Sequence, residues 1–137
     1  MAYPPLEYTM KRLIIYSRGR LSAFGYAFQG AYDLLRNQAP SKIHILAFLS
    51  MVAVSWWLQF PLWKWVAVLL CSGMVLAAEA LNTAVEYVLD LVSPDYHVLA
   101  GKAKDVAADA VLFTAVFSGI IAILLIVDAI WWHAPYQ

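Results

Sequence analysis

Three long apolar blocks, Ile43 to Leu58, Leu62 to Leu89 and Val106 to about Trp132, constrain this chain more than any other feature. Each approaches the ~20 residues that an α-helix needs to cross a bilayer core. In lipid every backbone N–H and C=O must be bonded within the protein, so such blocks span as helices. Hydrophobic residues fill 64% of the 137 positions, against roughly 45–50% in a soluble domain. Because they are gathered into blocks rather than spread along the chain, a soluble core is excluded, and the length allows one domain.

Aromatic residues mark where the blocks leave the membrane. Trp56, Trp57, Gln59, Phe60 and Pro61 close the first block, and Trp63 and Trp65 follow at once. Trp131, Trp132, His133 and Tyr136 close the third, which emerges on the same side if all three blocks span. Lys11, Arg12, Arg18, Arg20, Arg36 and Lys42 precede the first span, Lys102 and Lys104 lie between the second and third, and only Lys64 falls on the other side. The positive-inside rule therefore puts the N-terminus and the second loop in the cytoplasm of a multi-pass cell-membrane protein, with the C-terminus outside. No cleavable signal peptide is expected in the charged first forty residues, so the first span would act as the membrane signal.

Nine basic and nine acidic residues cancel, leaving no field to attract nucleic acid. Cys71, the single cysteine, excludes a disulfide framework and reads as a packing residue. Leu21, Phe24, Phe28, Ala31 and Leu35 recur at helical spacing with Arg20, Gln29, Asp33 and Arg36 between them. This predicts an amphipathic helix on the cytoplasmic membrane surface, broken at Pro40 and Ser41. The expected fold is all-α integral membrane: a leader over 1–17, a surface helix over 18–38, and transmembrane helices over 43–60, 62–90 and 106–132, forming one domain over 1–137.

The second span carries the chemistry. Glu79, Asn82, Glu86 and Asp90 are spaced i, i+3, i+7 and i+11, which sets them on one stripe of a helix at its cytoplasmic end. An ionisable group inside a membrane costs about 2.5–3.5 kcal/mol on insertion scales, so Glu79 should face protein, a cation or water. A stripe that only hydrogen-bonds a neighbouring helix needs one polar residue rather than four. A carboxylate column conducting protons or ions is the stronger rival. The next segment, Ser93 to Asp105, reads as a short cytoplasmic loop containing Asp95, His97, Lys102, Lys104 and Asp105. Lysines beside carboxylates suit Mg²⁺-nucleotide chemistry: cations neutralise phosphate oxygens, carboxylates hold the metal, and fixed charge stabilises a transferring phosphoryl group. Neither a phosphate loop nor a protein-kinase signature occurs, so a nucleotide site would be built on helices.

The run Glu79-Ala80-Leu81-Asn82-Thr83-Ala84-Val85-Glu86, then Asp90, then Tyr96-His97-Val98-Leu99-Ala100, then Ala103-Lys104-Asp105, resembles the signature of the prokaryotic diacylglycerol and undecaprenol kinases. Phe24 to Gly30 is similar to that family's surface helix, and Lys42-Ile43-His44 to the start of its first span, so the resemblance covers nearly all of the chain from Arg18 onward. It implies a homotrimer of three-helix protomers, with active sites between neighbours, that transfers the γ-phosphoryl group of ATP to a lipid hydroxyl with Mg²⁺. It also implies Glu79 as general base and Asn82 as its positioning partner. Glu86 would be a metal ligand at the nucleotide, and Asp90, His97, Lys104 and Asp105 would surround the nucleotide. Gln38 stands where the family has a second metal-binding glutamate, and Asp109, one turn beyond Asp105, is the candidate to compensate. The runs Val92 to His97 and Lys104 to Ala108 lie closer to the undecaprenol kinase branch. Arg18 and Arg20 fit phosphate contact and membrane anchoring equally. The alternatives are a small channel or proton-relay subunit using the Glu79 column, and a catalytically silent family member, to which Gln38 would point.

Overall fold

The computed structural model describes residues 6–132, with side chains over 22–131, so the side chains of Arg18, Arg20 and Trp132, and all of His133 and Tyr136, lie outside it. Among the described residues four helices follow one another: α1 (Leu6–Asn37), α2 (Ala39–Trp57), α3 (Leu62–Val92) and α4 (Val98–Trp132). The last three are long and apolar enough to cross a membrane. The architecture is that of an all-α membrane protein, as the apolar blocks predict.

Helix α1 forms a unit of its own. It is already helical at Leu6, within the stretch read from sequence as a leader, and Leu6 to Arg20 contains good helix formers and no proline. Its end is pinned by pairs one turn apart, Tyr32 with Arg36 at 2.8 Å and Asp33 with Asn37. Its apolar residues Phe24, Phe28 and Leu35 are exposed. The break comes at Gln38 and not at Pro40–Ser41: Gln38 is extended (φ −100, ψ 114) and precedes the first residue of α2. Pro40 sits in the first turn of α2, where its missing N–H removes no helical bond.

The bundle of α2, α3 and α4 is built around α3, which packs along α4 and against α2. Leu58 to Phe60 close α2 with paired bonds, from Gln59 N–H to the Trp56 carbonyl at 3.1 Å and from Phe60 N–H to the Ser55 carbonyl at 3.0 Å. That is a Schellman ending, and it holds Gln59 in the left-handed region (φ 50). Pro61 then opens α3. The small core of Phe60, Val68, Leu125 and Ala129 lies beside this turn. There Lys64, 0% exposed, pairs with Asp128 at 2.7 Å, donates to the Leu125 carbonyl at 3.1 Å and lies against the rings of Phe60 and Trp63. The one basic residue that charge counting sets on this side is thus a neutralised interior cation. Farther along, Ser118 donates to the carbonyl of Cys71 at 3.3 Å. An apolar cavity of about 210 Å³ opens here between the three helices, lined by His44, Phe48, Met51, Cys71 and Leu125 among others.

Among the described residues few large side chains are buried. Leu46, Leu49, Leu69, Leu70, Phe113 and Phe117 all point outward, an apolar surface that a soluble monomer would not leave open and a bilayer accepts.

Candidate active site

The inward face of α3 runs Lys64, Val68, Val75, Glu79, Thr83 at helical spacing, so the same face that buries a cation at one end buries a carboxylate toward the other. Glu79 is 3% exposed. It accepts a hydrogen bond across the α2–α3 interface from the hydroxyl of Ser41, Oγ to Oε1 3.3 Å. One turn on, Asn82 Nδ2 donates to Glu86 Oε1 at 3.2 Å. The side-chain oxygen of Asn82, Oδ1, is buried and has no hydrogen-bond partner among the described residues.

At the end of α3 the stripe reaches the turn to α4. Lys104 Nζ pairs with Asp90 Oδ1 at 2.6 Å, both groups well exposed. They line a cleft of about 320 Å³ with Ser93, Asp95, Tyr96 and His97. Contrary to what the sequence suggests, the stretch from Ser93 to Asp105 is not a loop throughout: α4 begins at Val98, and Lys102, Lys104 and Asp105 stand on its first turns. Leu99 to Ala108 is rich in alanine and lysine and continues the helix beyond the apolar block. His97 caps this helix, its Nδ1 accepting the Leu99 N–H at 3.2 Å while its carbonyl accepts the Gly101 N–H at 3.0 Å. The cleft therefore sets a lysine, paired with Asp90, beside the positive end of a helix, which favours an anion. Asp90 lies about 16 Å beyond Glu79 along the α3 axis, from the rise per residue. Only an elongated ligand could meet both.

A model of the prokaryotic diacylglycerol kinase family matches residues 25–126. The chain belongs to the prokaryotic diacylglycerol kinase family. Undecaprenol kinase of Bacillus subtilis is 32% identical over 103 residues, 75% of this chain and 84% of the relative. Diacylglycerol kinase of Escherichia coli is 30% identical over 113 residues, 82% and 89% of the two chains. A diacylglycerol kinase of Synechocystis is 35% identical over 102 residues, 74% of this chain and 58% of the relative. As a member of this family the chain is a lipid kinase of the diacylglycerol or undecaprenol type.

For this lipid kinase the structure brings Asn82 to Glu86, and Lys104 and His97 to Asp90 in one cleft. Asp105 and Asp109 are exposed on α4, and Gln38 is half-buried at the start of α2 with no side-chain capping bond. Among the described residues no three His, Cys, Asp or Glu side chains gather into a metal cage. Mg²⁺ seldom uses such cages, binding through one or two carboxylates and substrate phosphates. Glu86 and the unpartnered oxygen of Asn82 are hard donors that fit it. Sequence reasoning missed Ser41, which it treated as a helix breaker. A stripe on α3 says nothing about which residue of α2 it meets.

Proposed function

We propose that this kinase transfers the γ-phosphoryl group of ATP to the hydroxyl of a membrane lipid alcohol, with undecaprenol favoured over diacylglycerol. The observation that carries this reading is the sequence of charged groups from buried Glu79, past Asn82 and Glu86, to the Lys104–Asp90 pair in its cleft. Its length fits an elongated nucleotide, with the triphosphate running toward Glu79 and the nucleoside toward His97 and Tyr96. Lys104, released from Asp90, neutralises phosphate oxygens, and Asp90, His97 and Asp105 surround the nucleotide. Glu86 would hold Mg²⁺, whose charge would offset that developing on the transferred phosphoryl group. Glu79 takes the proton of the lipid hydroxyl as its oxygen forms a bond to the γ-phosphorus, the bond to the bridging oxygen breaks, and ADP leaves. Asn82 keeps Glu86 in place.

The α3–α4 end and the N-terminus face the cytoplasm in this reading, where ATP is found and where the basic residues collect. The exposed apolar face of α1 suits the membrane surface there. A homotrimer with sites completed by neighbouring copies is what the family resemblance implies, and the outward apolar faces of one chain are compatible with it. The undecaprenol preference rests on the runs Val92 to His97 and Lys104 to Ala108.

Purified protein in mixed micelles should consume ATP only with added lipid, and faster with undecaprenol than with diacylglycerol. Ion or proton flux without lipid-dependent ATP consumption would instead make it a channel. Gln38→Glu should restore a carboxylate ligand and lower the Mg²⁺ concentration for half-maximal turnover by at least about threefold, since added ligand charge tightens binding. An unchanged Mg²⁺ titration removes position 38 from the metal set. Asp109 is proposed as the compensating acid: Asp109→Ala should raise the Mg²⁺ requirement, and an unaltered requirement rejects that role.

A further inference from the structure

We propose that Ser41 is a positioning residue for Glu79, its hydroxyl fixing one carboxylate oxygen across the α2–α3 interface so that the other takes the acceptor proton. The inference rests on Glu79 being the base. Ser41 is 0% exposed and lies in the first turn of α2, and Glu79, 3% exposed, is the side chain that receives its hydrogen bond. A hydroxyl sealed from solvent is costly unless bonded, and the Glu79 carboxylate accepts from this one at 3.3 Å. The place on α2 gives it further meaning. The start of a helix carries partial positive charge from N–H groups without intrahelical partners, which favours a carboxylate. Pro40, in this first turn, has no N–H to offer, and Ser41 beside it supplies a donor from its side chain.

Glu79 reaches the interface from the middle of α3, on a side chain with three rotatable bonds. Asn82, the neighbour expected to steady it, instead bonds Glu86. Without Ser41 the carboxylate would sample rotamers, and a base displaced by about an ångström loses rate steeply. A lipid hydroxyl is held by its anchored chain and cannot follow. Ser41 therefore affects the chemical step and leaves substrate binding alone.

The test is a double-mutant cycle in the full-length protein, with turnover of ATP and lipid measured for Ser41→Ala, Glu79→Gln and the pair. Ser41→Ala should lower kcat about tenfold or more, with KM for ATP and lipid within about twofold. In the Glu79→Gln background the same change should leave the residual rate within about twofold, because the base it positions is gone. Ser50→Ala, which removes a hydroxyl bonded to the Leu46 carbonyl on α2, should leave turnover unchanged. If Ser41→Ala keeps full kcat while Glu79→Gln is inactive, the positioning role is wrong and the base assignment stands. If Ser41→Ala slows both backgrounds equally, its effect is on the helix packing and the proposal fails. If Glu79→Gln keeps full turnover, the base assignment fails and takes this role with it.

Discussion

Glu79→Gln should fold and insert, yet transfer phosphoryl groups about a thousandfold more slowly than the parent. The change keeps the side chain's shape and an oxygen that can still accept from Ser41, so the bundle loses little. What it loses is a group able to take a proton, and general base catalysis supplies roughly 10²–10⁴ in rate. The loss should fall on kcat with KM for ATP nearly unchanged, since Glu79 lies about 16 Å along α3 from the Asp90 cleft. Steady-state assays with lipid and nucleotide varied separately check this, and retained turnover removes Glu79 from the role of base.

The second large effect concerns stability at the other end of the bundle. Asp128→Ala strips the counter-charge from Lys64, whose ammonium is sealed between the Phe60 and Trp63 rings and the Leu125 carbonyl. Removing one partner of a fully buried pair costs roughly 3–5 kcal/mol. The Asp128 side chain is 46% exposed, so a discounted loss of about 2–3 kcal/mol is expected here. Lys64→Met should cost less, because the carboxylate it abandons can reach solvent or headgroups. The double variant Lys64→Met/Asp128→Leu should recover most of the loss, since an apolar pair of similar volume carries no desolvation penalty. Thermal denaturation in detergent distinguishes the three. If Asp128→Ala melts with the parent protein, the pair adds nothing to the contact between α3 and α4.

The three spans were legible because a bilayer demands long apolar helices, and composition records that demand directly. The start of α4 was not, because hydropathy ends at the apolar block near Val106 while backbone hydrogen bonding continues back to Val98 through residues that favour helix. For the same reason α1 extends back to Leu6 beyond its amphipathic part. Glu79, Asn82, Glu86 and Asp90 could be placed on one face from spacing alone, since all belong to a single helix. The partners Ser41 and Asp128 could not be, because they depend on the rotation of α2 and α4 against α3. Lys64 looked like a lone outer cation until its contact with α4 showed it to be interior.

The acidic face of α3 and the first turns of α4 are together proposed to receive Mg·ATP. Titrating Mg·ATP into the purified protein in lipid–detergent micelles tests it most directly. Binding should be retained in Glu79→Gln and lost or weakened at least about tenfold in Lys104→Met, which would remove the charged hydrogen bond proposed to reach phosphate. A parent protein that binds no nucleotide with any lipid present, or a Lys104→Met variant that binds as well as the parent, would contradict the account.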